Sequence, residues 1–439
     1  MTQLKIGIIG AGATGLAAAW DFVKAGHEVT IYEASDRVGG LASGFKDEGW
    51  DWTLEKFYHH WFTTDDDILG LAEEMKVRDK VIFPRPKTSY WIDGKPVRSE
   101  ISPSAIFLPV SLISTIRMGL AGMFVKLSPH WDFFEKVTAD SWMRRWMGNE
   151  AYEKFFKPLL IGKFAEQYDR VPMSFMWARI VKRTLKLGTY TGGFQAFLDE
   201  LAEQLIAKGV TIHLNTPVEG ISTQSDKPTL TVNDESQTFD RVISTTSPRL
   251  MLKLTEGLAE TAYGKKVADL KSIGGLCVVL ALKQGLMQDD TYWLNLPATT
   301  ADKSKSAFPF LAMVEHTNYI PREHYGGDHI IYCGDYVPVD HDYFNISEEE
   351  LVERFLPALK KVNPNFERDW IRKWWVWRAP YAQPVPELNH SENIPDLKTP
   401  VSGVYWASMS QVYPWDRGTN YAIEIGRRVA NLAMDTESE

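Results

Sequence analysis

Two adjacent histidines sit in an aromatic run, Glu55-Lys56-Phe57-Tyr58-His59-His60-Trp61-Phe62-Thr63-Thr64-Asp65. They are the side chains here best suited to hold a substrate or move a proton near neutral pH. Neighbours in an extended segment point to opposite faces, so only one of His59 and His60 is expected to reach a site. The alternative for the other is a core histidine with a hydrogen bond, or a turn cap. A second chemical segment is the glycine turn Gly10-Ala11-Gly12-Ala13-Thr14-Gly15. Arg144 and Arg145, and Arg372, Lys373 and Arg378, could bind an anion but read more simply as solvated faces. No zinc spacing, Ser-His-Asp order or Walker loop stands out, and no metal is expected.

The elements around the glycine turn give it meaning. Leu4–Ile9 is a short apolar run ending at glycine, as a buried strand does. Leu16–Ala25 has helical character, and His27–Tyr32 predicts a second strand that ends on Glu33. Strand, glycine turn, helix, strand and acid together form a dinucleotide fingerprint, where the turn alone would be weak. Gly10 permits the tight turn, Gly12 lets a pyrophosphate approach the backbone, and Gly15 lets helix and strand pack closely. Free N–H groups of Ala13 and Thr14 at the helix start would face the phosphates. Glu33, with Ala34 beside it, would accept the ribose hydroxyls and repel a 2′-phosphate, which disfavours NADP.

The residues after the acid choose between NAD and FAD. Arg37 offers a cation for a diphosphate. Gly39 and Gly40, followed by Leu41, let the backbone pass close to the rest of a long dinucleotide. A nicotinamide dehydrogenase has no need of this extension, whereas FAD does.

The segments GAGATGLAAAW at 10–20, VTIYEASDRVGG at 29–40 and YPWDRGTNYAIEIGRRVA at 413–430 resemble the FAD-dependent superfamily of amine oxidases, protoporphyrinogen oxidases and phytoene-type desaturases. The resemblance implies an α/β fold with a Rossmann-type, glutathione-reductase-like FAD domain and a discontinuous α+β substrate domain. It also implies that Arg417, Gly418, Thr419, Asn420 and Tyr421 lie at the flavin's pyrimidine edge. Helix-start N–H groups there would stabilise negative charge on a reduced flavin. Val218 would meet the adenine through its backbone, and the histidine segment would lie near the flavin ring. Neither Cys277 nor Cys333 falls in the C-terminal segment, so the FAD is expected to be non-covalent. Departures are Leu41, where the oxidases often carry Arg, and Trp406-Ala407-Ser408-Met409, which lacks a Gly-Asp pair.

On this reading residues 1–88, 189–270 and 396–439 bind FAD. Residues 89–188 and 271–395 form the substrate domain, the first with a Tyr90–Val97 hairpin turning at Asp93-Gly94. Thr436–Glu439 reads as a frayed tail. The chain has 48 Lys and Arg against 57 Asp and Glu, a net charge of −9 that argues against nucleic acid as a partner. Two cysteines make no disulfide framework, so a reducing cytoplasm is the default compartment, and no signal peptide is expected. The apolar stretch 106–127 carries Pro109, Arg117 and Lys126, which argues against a membrane span. A buried helix is preferred there, with a helix lying on the bilayer, and so peripheral membrane contact, as the alternative. Sixteen Trp favour a large core or a cavity walled by rings.

The function expected is hydride removal from a small, largely apolar or ring-containing molecule by an FAD oxidoreductase. His60-Trp61-Phe62-Thr63-Thr64-Asp65 also resembles a segment of UDP-galactopyranose mutases, with Thr63 in place of their second histidine. That supplies a rival, a redox-neutral sugar-nucleotide mutase. A third reading is a non-catalytic FAD-binding protein.

Overall fold

A computed structural model describes residues 2–98, 110–224 and 226–435. Residues 106–109 and the tail 436–439 lie outside them.

Five parallel strands carry the glycine turn, in the spatial order Thr211–His213, Glu28–Tyr32, Lys5–Ile9, Arg241–Ser244, Val404–Trp406. Counted along the chain this order is 3-2-1-4-5. The direction of winding therefore reverses between Lys5–Ile9 and Arg241–Ser244, where a crevice opens beyond the carboxyl ends of the strands. Ile6 and Ile8 point to a helical layer made by Ala13–Lys24 and Thr419–Asp435, while Ile9 and Tyr32 point to the opposite core. That second face is covered by a three-stranded sheet, Val218–Gln224, Lys227–Val232 and Glu235–Thr238.

A larger, mixed sheet of seven strands runs Ile371–Pro384, Ser272–Leu282, His329–Val337, Ala312–Glu315, Thr291–Asn295, Lys87–Ile92, Lys95–Arg98. The last two form the expected hairpin. Asp93 and Gly94 adopt φ of 51° and 81°, the left-handed pair that a two-residue hairpin turn requires. Alternation decides its faces. Leu276, Val278 and Leu280 pack with the helix Glu348–Val362, and Cys277, Val279 and Ala281 face Phe45, Trp50 and Leu54. Trp375 and Trp377 each pack tilted against Phe45, 5.0 Å between ring centres, so these half-buried tryptophans border the core.

The first insertion is helical, with its own core around Trp142, Met143, Phe164 and Trp177. Its helix Leu112–Leu127 differs from the preferred expectation of a buried helix. Ser114 and Val125 face the protein, but Leu112, Ile113, Ile116, Leu120, Met123, Phe124 and Leu127 are between 54% and 74% exposed. No helix among the described residues is long and apolar enough to cross a membrane.

Candidate cofactor and active site

A cleft of about 1130 Å³ opens at the crevice. This exceeds the roughly 300–1,000 Å³ of an ordinary small-molecule pocket, and leaves room for a dinucleotide. Its lining brings together Glu33, Ala34 and Val218, the turn residues Gly10, Gly12, Ala13, Thr14, Gly39, Gly40 and Leu41, and Arg417, Gly418 and Thr419.

The glycines differ in what confines them. Gly10 has φ +102°, and its N–H donates to the Tyr32 carbonyl at 2.8 Å. A Cβ on Gly15 would stand 2.0 Å from the Gly10 carbonyl oxygen, so Gly15 serves helix–strand packing and does not line the cleft. A Cβ on Gly12 would meet nothing within 4 Å. Gly12 is the N-cap of Ala13–Lys24 and no side chain caps that helix start. An open, uncapped turn on the cleft wall suits the diphosphate of a dinucleotide. Gly39 locks the second glycine pair to this turn, its N–H donating to the Ala11 carbonyl at 2.9 Å. The Glu33 carboxylate accepts from the Ala11 N–H at 2.8 Å and from the Ser35 N–H at 2.9 Å, which fixes it on the wall.

Three expected contacts fall elsewhere. Arg37 does not line the cleft, because Asp36 holds its Nε and Nη2 at 3.1 and 3.0 Å while Nη1 donates to the Gly44 carbonyl. Asn420 turns to the helix Asp66–Glu74, its Oδ1 accepting from the N–H groups of Asp67 and Ile68. Tyr421 stacks on Trp415, 5.7 Å between centroids. On a helix start only every third or fourth residue shares a face, so Thr419 and Ala422 line the cleft and the two between them do not. Thr419 is itself anchored, its Oγ1 accepting from Trp61 Nε1 at 2.8 Å.

The two histidines part company. His59 lines the cleft, with Nδ1 2.5 Å from the Phe57 carbonyl oxygen. A carbonyl only accepts, so Nδ1 carries the proton and Nε2 is the acceptor. Burial, then the charge of Arg417, lowers its pKa to about 4, so the ring is neutral at pH 7. His60 turns away into a cage of Tyr292, Trp293 and Tyr319, with Nε2 hydrogen-bonded to the Tyr292 hydroxyl. Burial lowers its pKa to about 3. Of the two histidines, His59 is therefore the one on the cleft wall and His60 is off it.

A smaller cavity of about 50 Å³ adjoins, sharing Leu41, Phe57, His59, Ala379 and Arg417 with the cleft and adding Tyr58, Leu276, Tyr336 and Ala382. Arg417 Nη2 donates to the Tyr336 hydroxyl, and its buried Nε has no hydrogen-bond partner. Four of the other basic residues read from sequence are committed elsewhere. Arg144 bonds Asp140 and Glu153, Arg372 bonds Asp47 and Asp328, Lys373 bonds Asp47, and Arg378 donates to two carbonyls. Among the described residues no group of three His, Cys, Asp or Glu could hold a metal. Sequence reading missed Thr245 and Thr246 on the cleft wall. They follow the strand Arg241–Ser244 at the winding reversal, a signal available once the strand order is known.

The profile of flavin containing amine oxidoreductases matches residues 13–434. The chain belongs to this family. Family membership implies a flavin cofactor. Coproporphyrinogen III oxidase of Staphylococcus aureus is 23% identical over 289 residues, covering 56% of this chain and 61% of that relative, so the chain spans less than two thirds of its length. An oxidoreductase from Methanosarcina mazei superposes with a TM-score of 0.75 at 20% identity, over 97% of this chain and 100% of the other. Reduced UDP-galactopyranose mutase does so with a TM-score of 0.75 at 18% identity, over 99% and 97%. At such identities these two structures speak for the fold alone.

Proposed function

We propose that this family member binds FAD non-covalently and removes a hydride from a largely apolar or ring-containing substrate. The observation that carries the reading is the unbroken cleft from Glu33 and Val218, past the open turn at Gly12, to Arg417 and Thr419. Residues 1–88, 189–270 and 396–439 would hold the cofactor, with 89–188 and 271–395 forming the substrate side. Glu33 would take the ribose hydroxyls, Gly12, Ala13 and Thr14 the diphosphate, Val218 the adenine, and Gly418 and Thr419 the ring. Bound flavin supplies the hydride-accepting group. Leu41, Phe57, Leu276 and Ala379 give the adjoining cavity apolar walls that exclude water. Neutral His59 offers Nε2 as a proton acceptor at the cleft, and the Arg417 guanidinium offers fixed positive charge. The porphyrinogen oxidase relative supports dehydrogenation.

The mutase reading rests on the segment His60–Asp65, since the reduced mutase shares the fold and no more. His60, part of the mutase-like segment, faces away from the cleft, which weighs against it. Anaerobic mixing of the FAD-loaded protein with porphyrinogens and unsaturated isoprenoids tests the proposal. Loss of the flavin's yellow colour supports it. A flavin that stays oxidised, together with sugar-nucleotide isomerisation after dithionite, would replace it with the mutase reading.

We also propose that the helix Leu112–Leu127 rests on a lipid surface. At about 100° per residue its seven exposed apolar side chains fill an arc of about 120°, with Arg117 and Lys126 at the two borders. Such an uninterrupted row is unusual on a freely soluble face.

A further inference from the structure

Lys163, Arg179 and Arg183 come from the helical insertion, and Arg417 from the segment before the C-terminal helix. They meet around one carboxylate, that of Asp416. Lys163 Nζ and Arg179 Nη1 share its Oδ2 at 2.9 and 2.5 Å. Tyr336 lies beneath two of the cations, with Lys163 Nζ 5.8 Å and Arg417 Cζ 5.4 Å from its ring centre. Arg183 lies close enough to Arg179 and Asp416 for both charges to act on it, and its guanidinium makes no hydrogen bond or ion pair with the described residues. Asp335 does not help, because Lys303 already matches it at 2.8 Å. Four cations thus gather around one carboxylate, and one of them, Arg417, lines the cleft. Burial, then the neighbouring Arg179, holds Lys163 below its usual basicity, while Arg183 is exposed. Lys163, Arg179 and Arg417 are held partly out of water with one carboxylate among them, which is costly unless a further anion pairs with them.

Resting on the proposed FAD reading, we infer that Arg417, Arg179, Arg183 and Lys163 bind an anionic group of the substrate, a carboxylate or a phosphate. The substrate is then amphiphilic. Its apolar body lies against Leu41, Phe57, Leu276 and Ala379, and its acid meets the cluster through Arg417, the member that lines the same cavity. Guanidinium forks suit either oxyanion, since each offers paired oxygens to two N–H donors. Arg183 is the position to test, because its side chain holds nothing in the fold.

The experiment uses protein saturated with FAD, its yellow band read first, and titrates sodium citrate and sodium pyrophosphate separately at constant ionic strength. The flavin difference spectrum and the thermal midpoint are both recorded. We expect a saturable response, with the tighter of the two probes showing whether carboxylate or phosphate is preferred. Arg183→Gln should keep the wild-type midpoint without anion yet weaken binding about tenfold or more. Asp416→Asn, which removes the competing carboxylate, should gain more thermal stability from the anion than wild type does. No saturable response in wild type, or equal affinity in wild type and Arg183→Gln, overturns the inference. A protein that stays colourless in excess FAD would overturn the cofactor reading instead, and the citrate thermal shift, which needs no flavin, would still decide the anion site.

Discussion

Gly12→Ala should separate the cost of a side chain to the fold from its cost to the cofactor. Gly12 has φ −72° and ψ 175°, backbone that alanine adopts without strain, and its Cβ would enter open space. The variant should therefore fold as well as the parent or gain about 0.4–1 kcal/mol by restricting the unfolded chain. The new methyl would occupy the cleft wall where, on the proposed reading, N–H groups would meet the diphosphate. A hydrogen bond to a charged group contributes about 1.5–3 kcal/mol, and losing one weakens FAD about 12-fold to 150-fold. Gly15→Ala is the contrast. Its Cβ would press on the Gly10 carbonyl at 2.0 Å, so it should destabilise the apoprotein by several kcal/mol, beyond about 3. Urea midpoints of the apoproteins and titration of FAD by quenching of its fluorescence measure the two effects. A Gly12→Ala protein of normal stability that binds FAD as tightly as the parent would refute the placement of the diphosphate at this turn.

Other outcomes follow from the same geometry. His59→Ala should retain FAD and lower turnover by about 10²-fold, whereas His60→Ala should leave turnover alone and cost about 2–4 kcal/mol in urea stability by stranding the Tyr292 hydroxyl; the reverse pattern would exchange their roles. Burial raises the Glu55 pKa to about 7 from 4.5, so the unfolded chain loses this proton first and the wild type loses stability as pH rises from 4.5 to 7. Glu55→Gln can still accept from the Phe194 N–H and lacks that loss, so relative to wild type it should gain about 3 kcal/mol between pH 4.5 and 8; a pH-independent difference in urea midpoints would contradict this. Ile116→Glu with Leu120→Glu should abolish co-sedimentation with phosphatidylglycerol vesicles while changing stability by no more than about 0.5 kcal/mol each; wild-type protein that never sediments removes the lipid surface from the account.

The glycine turn, the strand before it and the acid after it were legible in sequence because they are local. Each residue type answers a backbone demand set by its immediate neighbours, such as φ +102° at Gly10 or the 2.0 Å approach to Gly15. The Asp93-Gly94 hairpin belongs to the same class. Direction and partnership were not local. Whether His59 or His60 faces the cleft depends on Tyr292 and Trp293, more than two hundred residues away in the chain. Arg37 looked free until Asp36 and Gly44 claimed it, and Asn420 until it capped Asp66–Glu74. The cations around Asp416 come from separate elements whose meeting no spacing encodes. Apolar pattern alone shows that Leu112–Leu127 has a greasy side, but only packing decides whether another part of the chain covers it, and here none of the described residues does. Sequence fixes what a residue can do through bonds and nearest neighbours, while long-range packing selects which charges stay unpaired and which side chains reach a cavity.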